Sequence, residues 1–206
     1  MMPQPDFIHE FVPGTSSQTL LLLHGTGGNE RDLIPLGREL DPSAALLGPR
    51  GKILENGMPR FFRRLAEGVF DMEDLKKRTN ELADFVAAAI RHYKLSADWV
   101  VAVGYSNGAN IAASMLLLRP EIFRAAILFR AMVPLAPESL PDLSSVRVWI
   151  GAGNQDPIIP ASETQRLVKL LRCAGADVTV RFANANHGLT KTDVERAKHW
   201  MEKLRR

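Results

Sequence analysis

A single cysteine, Cys173, excludes an internal disulfide. Its setting, Leu170-Leu171-Arg172-Cys173-Ala174 near the end of a helical pattern, reads as a small residue in or half in the core. Charge of one sign is also scarce. The 26 basic residues exceed the 23 acidic ones by a formal +3, too little for the concentrated basic face that nucleic-acid binding uses. No apolar run approaches the ~20 residues of a membrane span, so no membrane insertion is expected. Met1-Met2-Pro3-Gln4-Pro5-Asp6 lacks the basic stretch and apolar core of a secretory signal, and the expected location is cytoplasmic. Metal signatures are missing: there is no His-Glu-x-x-His, no cysteine pair and no histidine cluster. The glycine loop at 25–28 is not followed by Gly-Lys-Ser/Thr, and no Gly-x-Gly-x-x-Gly opens a helix after a strand. Phosphate-loop and dinucleotide readings therefore fail, and no metal is expected.

What is present is an ordinary globular composition, 46% hydrophobic and 24% charged over 206 residues. The simplest organisation is one domain, residues 1–206. Strand patterns fall at 7–12, 19–24, 44–47, 99–103, 125–129, 146–150 and 178–182. Helical patterns alternate with them. The first, with Leu33, Leu36 and Leu40 on one face, spans roughly a dozen residues. Others fall at 74–93, 107–118 and 160–174, and a last one is opened by Thr190 and Asp193 in a capping-box-like arrangement. Segment 107–118 is apolar almost all round, which marks a buried helix. The stretch 50–71 is the least regular, and 130–145 reads as a proline-rich loop. The continuous apolar run at 20–23 is that of a strand covered on both faces. The expected fold class is α/β, with a mostly parallel central sheet flanked by helices.

Ligands of such sheets bind beyond the carboxyl ends of the strands. Four polar clusters lie there. The first is His24-Gly25-Thr26-Gly27-Gly28. The second is Gly104-Tyr105-Ser106-Asn107-Gly108, a Gly-x-Ser-x-Gly between a β-branched run and a helix. The third surrounds Asp156, and the fourth is Asn186-His187-Gly188. The Gly-x-Ser-x-Gly pattern alone arises by chance in somewhat under about one in ten chains of this length at ordinary glycine usage. Its context is more specific. Strand, sharp turn and helix make a nucleophile elbow, and Ser, Asp, His is the chain order of an α/β-hydrolase triad. A serine hydroxyl needs a base to become a nucleophile. His187 is the candidate base, and Asp156 the candidate carboxylate that orients it. The N–H groups of Thr26 and Asn107 are candidate oxyanion donors. His24, just before the glycine loop, is read as fixing that loop. His92 and His199 fall inside helices and are expected at the surface. Asp142 and Glu138 are weaker candidates than Asp156, because they precede their strand.

These residues resemble a known family. The segment Leu23 to Glu30, the Gly104–Gly108 elbow, Asp156-Pro157-Ile158-Ile159-Pro160 and His187-Gly188 are similar to the phospholipase/carboxylesterase group of α/β-hydrolases, which includes the acyl-protein thioesterases. Pro49-Arg50-Gly51 and the segment Glu55 to Arg64 are similar to a bacterial carboxylesterase branch associated with hydroquinone and catechol resistance. The resemblance spans nearly the whole chain. It implies a serine carboxylesterase acting on small-molecule esters without a cofactor, on a fold with no large lid domain, and it leaves room for a homodimer. Two segments bear on substrate. In 50–71, Arg50, Lys52, Arg60, Arg63 and Arg64 stand against Glu55 alone, and with Phe61, Phe62 and Phe70 the segment reads as an aromatic-lined wall, Phe61 foremost, carrying an arginine, Arg63, that receives a substrate carboxylate; the alternative is a solvated loop whose arginines pair with nearby acids. In 130–134, Met132 reads as acyl-side wall, against plain packing. Two other functions remain open: an acyl thioesterase or lysophospholipase, and a non-catalytic binding module on the same fold.

Overall fold

A computed structural model describes residues 6–204. A seven-stranded sheet forms its centre. The elements run β1 (His9–Val12), β2 (Thr19–Leu23), α1 (Ile34–Leu40), β3 (Ala45–Pro49), β4 (Ile53–Glu55), β5 (Met58–Arg60), β6 (Arg64–Ala66), β7 (Val69–Phe70), α2 (Met72–His92), β8 (Val100–Tyr105), α3 (Asn107–Leu118), β9 (Ala125–Phe129), β10 (Arg147–Gly153), α4 (Ala161–Cys173), β11 (Asp177–Ala183) and α5 (Lys191–Leu204). Strand order is β1-β3-β2-β8-β9-β10-β11. Only β1 pairs antiparallel, at the edge against β3. This is the mostly parallel, helix-flanked sheet of the α/β-hydrolase fold, without a large lid among the described residues.

The alternation of side chains along β2 accounts for the two cores. Leu21 and Leu23 enter a cluster with residues of α2, α3 and α4. Leu20 and Leu22 point the other way, into a cluster with residues of α1 and α5. A strand with both faces covered must be apolar at every position, and all five residues of β2 are buried. Helix α3 is buried at eleven of its twelve residues, from Asn107 to Leu117. It lies against β8, β9 and α2, which explains its all-round apolarity.

Several boundaries differ from the expected ones. Helix α1 has seven residues instead of roughly a dozen, because Pro35 sits in its first turn, where a missing N–H costs nothing. Residues further upstream turn instead, with Asn29 Oδ1 accepting from Arg31 N at 2.8 Å. Segment 50–71 holds two small hairpins, β4–β5 and β6–β7. The first closes on Asn56-Gly57, at φ 52° and 79°, the left-handed pair that a two-residue hairpin loop requires. Cys173 is exposed. The core reading fails because Leu167, Val168 and Leu171 supply the buried face of α4. Among the described residues, no helix is long and apolar enough to cross a membrane.

Candidate active site

From β2 the chain moves outward to β3, and β8 then inserts on the other side of β2. The β2/β8 boundary is thus the switch point of the sheet, where loops diverge and leave a crevice. Thr26 follows β2 and Ser106 follows β8, so two of the four clusters meet there. Ser106 occupies φ 53°, ψ −115°, a strained backbone for a residue with a side chain. The turn is held by Ser106 N donating to Phe129 O at 2.9 Å. Its tightness depends on Gly108, where a Cβ would collide with the Leu23 carbonyl.

The structure joins the three residues proposed from their order. His187 Nε2 lies 2.9 Å from Ser106 Oγ, and His187 Nδ1 lies 2.8 Å from Asp156 Oδ2. The other carboxylate oxygen, Asp156 Oδ1, accepts from the N–H of Ile158 at 2.9 Å and of Ile159 at 3.0 Å. The Asp156 side chain is 1% exposed and that of His187 18%. A carboxylate facing Nδ1 selects the tautomer with its proton there, leaving Nε2 as acceptor for the serine hydroxyl.

Ser106 and His187 open into a cleft of about 340 Å³, lined further by Thr26, Asn107, Phe70 and Met132. Thr26 and Asn107 stand on the glycine loop and at the first position of α3. The Asn107 N–H has no helical acceptor there. One stretch buttresses both. Pro59 O accepts from Gly27 N at 2.9 Å. Arg60 Nη1 donates to Thr26 Oγ1 at 2.8 Å, and Phe61 N donates to Asn107 Oδ1 at 2.8 Å. His24 adds a further tie: it is buried, accepts from Gly51 N at 3.0 Å through Nε2, and pairs through Nδ1 with Gly25 O at 2.6 Å. This tie matches the loop-fixing role read for His24. His92 and His199 are exposed, as expected.

Of the three substrate-wall residues, only Met132 lines the cleft. Phe61 is 2% exposed and packs inward, its ring 4.7 Å from that of His24. Burying a phenylalanine is worth about 2–3 kcal/mol, and the core claims it. Arg63 points to solvent and pairs with Asp71 at 2.9 Å. Of the other residues of that segment, Arg60, Arg64 and Phe70 line the cleft, with Tyr105 as a further aromatic residue. Both arginines share Glu55, at 3.3 and 2.9 Å. The Arg64 bond, together with both positive charges, outweighs burial and holds the Glu55 carboxyl below its usual range. Burial and the Arg64 charge push the Arg60 guanidinium below its usual value. The arginines of this segment are therefore paired with acids, as in the solvated-loop alternative, yet two of them face the cleft.

Arg130 is a contributor that the sequence reading did not single out. It stands one residue past β9, fully buried, and donates to Asn186 O, Gly188 O and Asp193 Oδ2 around the His187 loop. A lone arginine after a strand carries no recognisable signal. The left-handed backbone at φ 55° appears only in three dimensions.

The dienelactone hydrolase family matches residues 63–203, and the chain belongs to that family. A protein of Bacillus subtilis (strain 168) named as a hydrolase, MhqD, is 50% identical over 192 residues, 93% of this chain and 96% of that protein. A Bacillus cereus carboxylesterase superposes with a TM-score of 0.94 at 48% identity, over 96% of this chain and 94% of that one. A Mesorhizobium loti carboxylesterase does so with a TM-score of 0.87 at 34% identity, over 92% and 90%. The chain is thus a member of a hydrolase family with carboxylesterases among its structural relatives, and the resemblance read from the motifs holds at that level.

Proposed function

We propose that the protein is a serine carboxylesterase that cleaves small carboxylic esters through a Ser106 acyl-enzyme. The unbroken Ser106–His187–Asp156 chain at the foot of the cleft carries this reading. Ser106 Oγ attacks the ester carbonyl, and its proton passes to His187 Nε2. The imidazolium is stabilised by Asp156, whose own position is fixed by two backbone N–H groups. Charge on the carbonyl oxygen is met by the N–H groups of Thr26 and Asn107, each such donor worth about 3–4 kcal/mol in the transition state. His187 then protonates the leaving alkoxide. A water molecule, deprotonated by the same nitrogen, hydrolyses the acyl-enzyme and restores Ser106.

The test is labelling of the purified protein by a fluorophosphonate, with turnover of p-nitrophenyl acetate. Ser106→Ala is expected to abolish labelling and to lower kcat by roughly 10⁶-fold. A wild-type protein that neither labels nor turns over any short ester would end this reading.

A further inference from the structure

We propose that Arg130 is a positioning residue for His187, holding the base in line through the backbone of its loop. The proposal rests on the serine-esterase reading. Residues 186–188 lie beyond β11, where no strand pairing orders them. Three consecutive carbonyls there are each gripped by a side chain. Arg130 Nε donates to Asn186 O at 3.1 Å, Tyr105 OH to His187 O at 3.1 Å, and Arg130 Nη2 to Gly188 O at 2.7 Å. The loop thus takes its shape from residues just past β9 and at the end of β8, the strand that leads to Ser106. Nucleophile and base are referred to the same part of the sheet.

The guanidinium is fully buried, which is unfavourable for a charge without a partner. Asp193 supplies the partner, its Oδ2 2.6 Å from Arg130 Nη2. Burial alone would raise the Asp193 carboxyl. The bonds from Arg130 and from Thr190, at 3.0 and 2.9 Å, outweigh burial and keep it below its usual value. The first turn of α5 is thereby tied to the same point. Arg130 itself is held by its N–H on Gly151 O at 2.8 Å. A planar fork of five donors can reach three separated acceptors at once, whereas a lysine ammonium acts as a point charge. Arg130 does not line the cleft, so its effect on the reaction passes through His187. The charged and titratable groups around His187 are Asp156 at its Nδ1, Tyr105 at its carbonyl, Arg130 with Asp193 behind its backbone, and Arg60, Arg64 and Glu67 along the cleft.

The test uses the full chain with Arg130→Lys, read out by kcat and KM for p-nitrophenyl acetate and by the low-field proton NMR signal of His187 Nδ1–H, with Asp156→Asn as the signal's negative control. Arg130→Lys keeps the charge beside Asp193 and loses the fork. The expected result is a folded protein with kcat lowered about 10–100-fold, KM within about twofold, and the low-field signal broadened or lost. A folded Arg130→Lys with wild-type kcat and signal overturns the proposal. Should that variant not fold, Tyr105→Phe and the charge-free Arg130→Met/Asp193→Asn carry the same readouts. Wild-type kcat and signal in those two would overturn it equally. Failure of the esterase reading looks different: wild-type protein without Ser106-dependent turnover, with the Nδ1–H signal still reporting whether Arg130 holds the ring.

Discussion

Asp156 uses its two carboxylate oxygens for different tasks, one to orient His187 and one to accept from the turn after β10. Asp156→Asn keeps an oxygen for the turn and presents an amide N–H₂ to His187 Nδ1. The imidazole must then carry its proton on Nε2, facing Ser106, and cannot accept. The expected outcome is a loss of kcat near 10⁴-fold, with KM and Tm little changed, read by steady-state kinetics and a thermal melt. His24 is a residue-scale control on the same site. Burial holds its imidazole below the usual value, against the opposing bond to Gly25 O. The folded state therefore binds fewer protons than the unfolded chain, whose histidine titrates at about 6.5. Its contribution to stability is complete above that pH and is lost as pH falls toward the lowered folded value. Urea midpoints at pH 7.5 and 5.5 are expected to fall more steeply in wild type than in His24→Asn. Equal slopes would count against a buried, neutral His24. Ser106, Asp156 and His187 were legible because each ends a strand pattern in the required chain order. The wall reading of Phe61 and Arg63 gives way because residue type does not say which way a side chain turns in the short link between β5 and β6, and Arg63 follows the solvated-loop alternative, whereas Arg60 and Arg64 are held at the cleft by pairing with Glu55.

Strands buried on both faces read clearly as elements, and so did α3. Shorter elements read less well. β4 and β5 have three residues each, too few for periodicity, so their segment read only as irregular, and the Asn56-Gly57 turn that joins them was not taken as a hairpin. Strand ends shifted outward, β8 to Tyr105 and β10 to Gly153, because pairing in the sheet continues past the apolar run: Tyr105 registers with Phe129 and Gly153 with Ala183. Two glycines separate the physical causes at this scale. At Gly57 the space around an added Cβ is open and only φ 79° opposes it, so Gly57→Ala should cost about 1 kcal/mol and a few degrees in Tm. At Gly108 the backbone is helical and the obstacle is the Leu23 carbonyl, with His24 O at 2.6 Å. Gly108→Ala must push α3 away from β2 and should lower Tm on the order of 10 °C, with activity lost at temperatures where the protein is still folded. Differential scanning calorimetry of the pair checks the order. Similar Tm losses would mean that the elbow is less tightly packed than these distances require.

At the scale of the molecule, the sheet order places the cleft at the β2/β8 boundary, and the two hairpins of segment 50–71 supply one side of it through Arg60, Arg64 and Phe70. Under the esterase proposal, these groups are the ones a bound ester would meet. Its volume of about 340 Å³ stands at the lower end of the range for clefts that hold drug-sized ligands. Its walls mix Phe70, Met132 and Ile159 with two guanidiniums, Glu67 and Asn110. A long acyl chain needs continuous apolar contact, since each buried methylene adds about 0.8 kcal/mol only where it leaves water for an apolar surface. Beside Arg60 and Arg64 that gain is forfeited, because the chain would desolvate charged groups and leave them without hydration. Across p-nitrophenyl esters from acetate to decanoate, kcat/KM is therefore expected to peak within about the first four carbons and to fall from there. A preference that keeps rising beyond about eight carbons would shift the assignment to a long-chain thioesterase or lysophospholipase and would require an apolar channel to open behind Met132. Arg64→Leu separates the cause from simple size, since it removes a guanidinium from the wall while enlarging the cleft only slightly. The optimum should then move toward longer chains. An unmoved optimum would mean that volume, and not the charged wall, sets the limit.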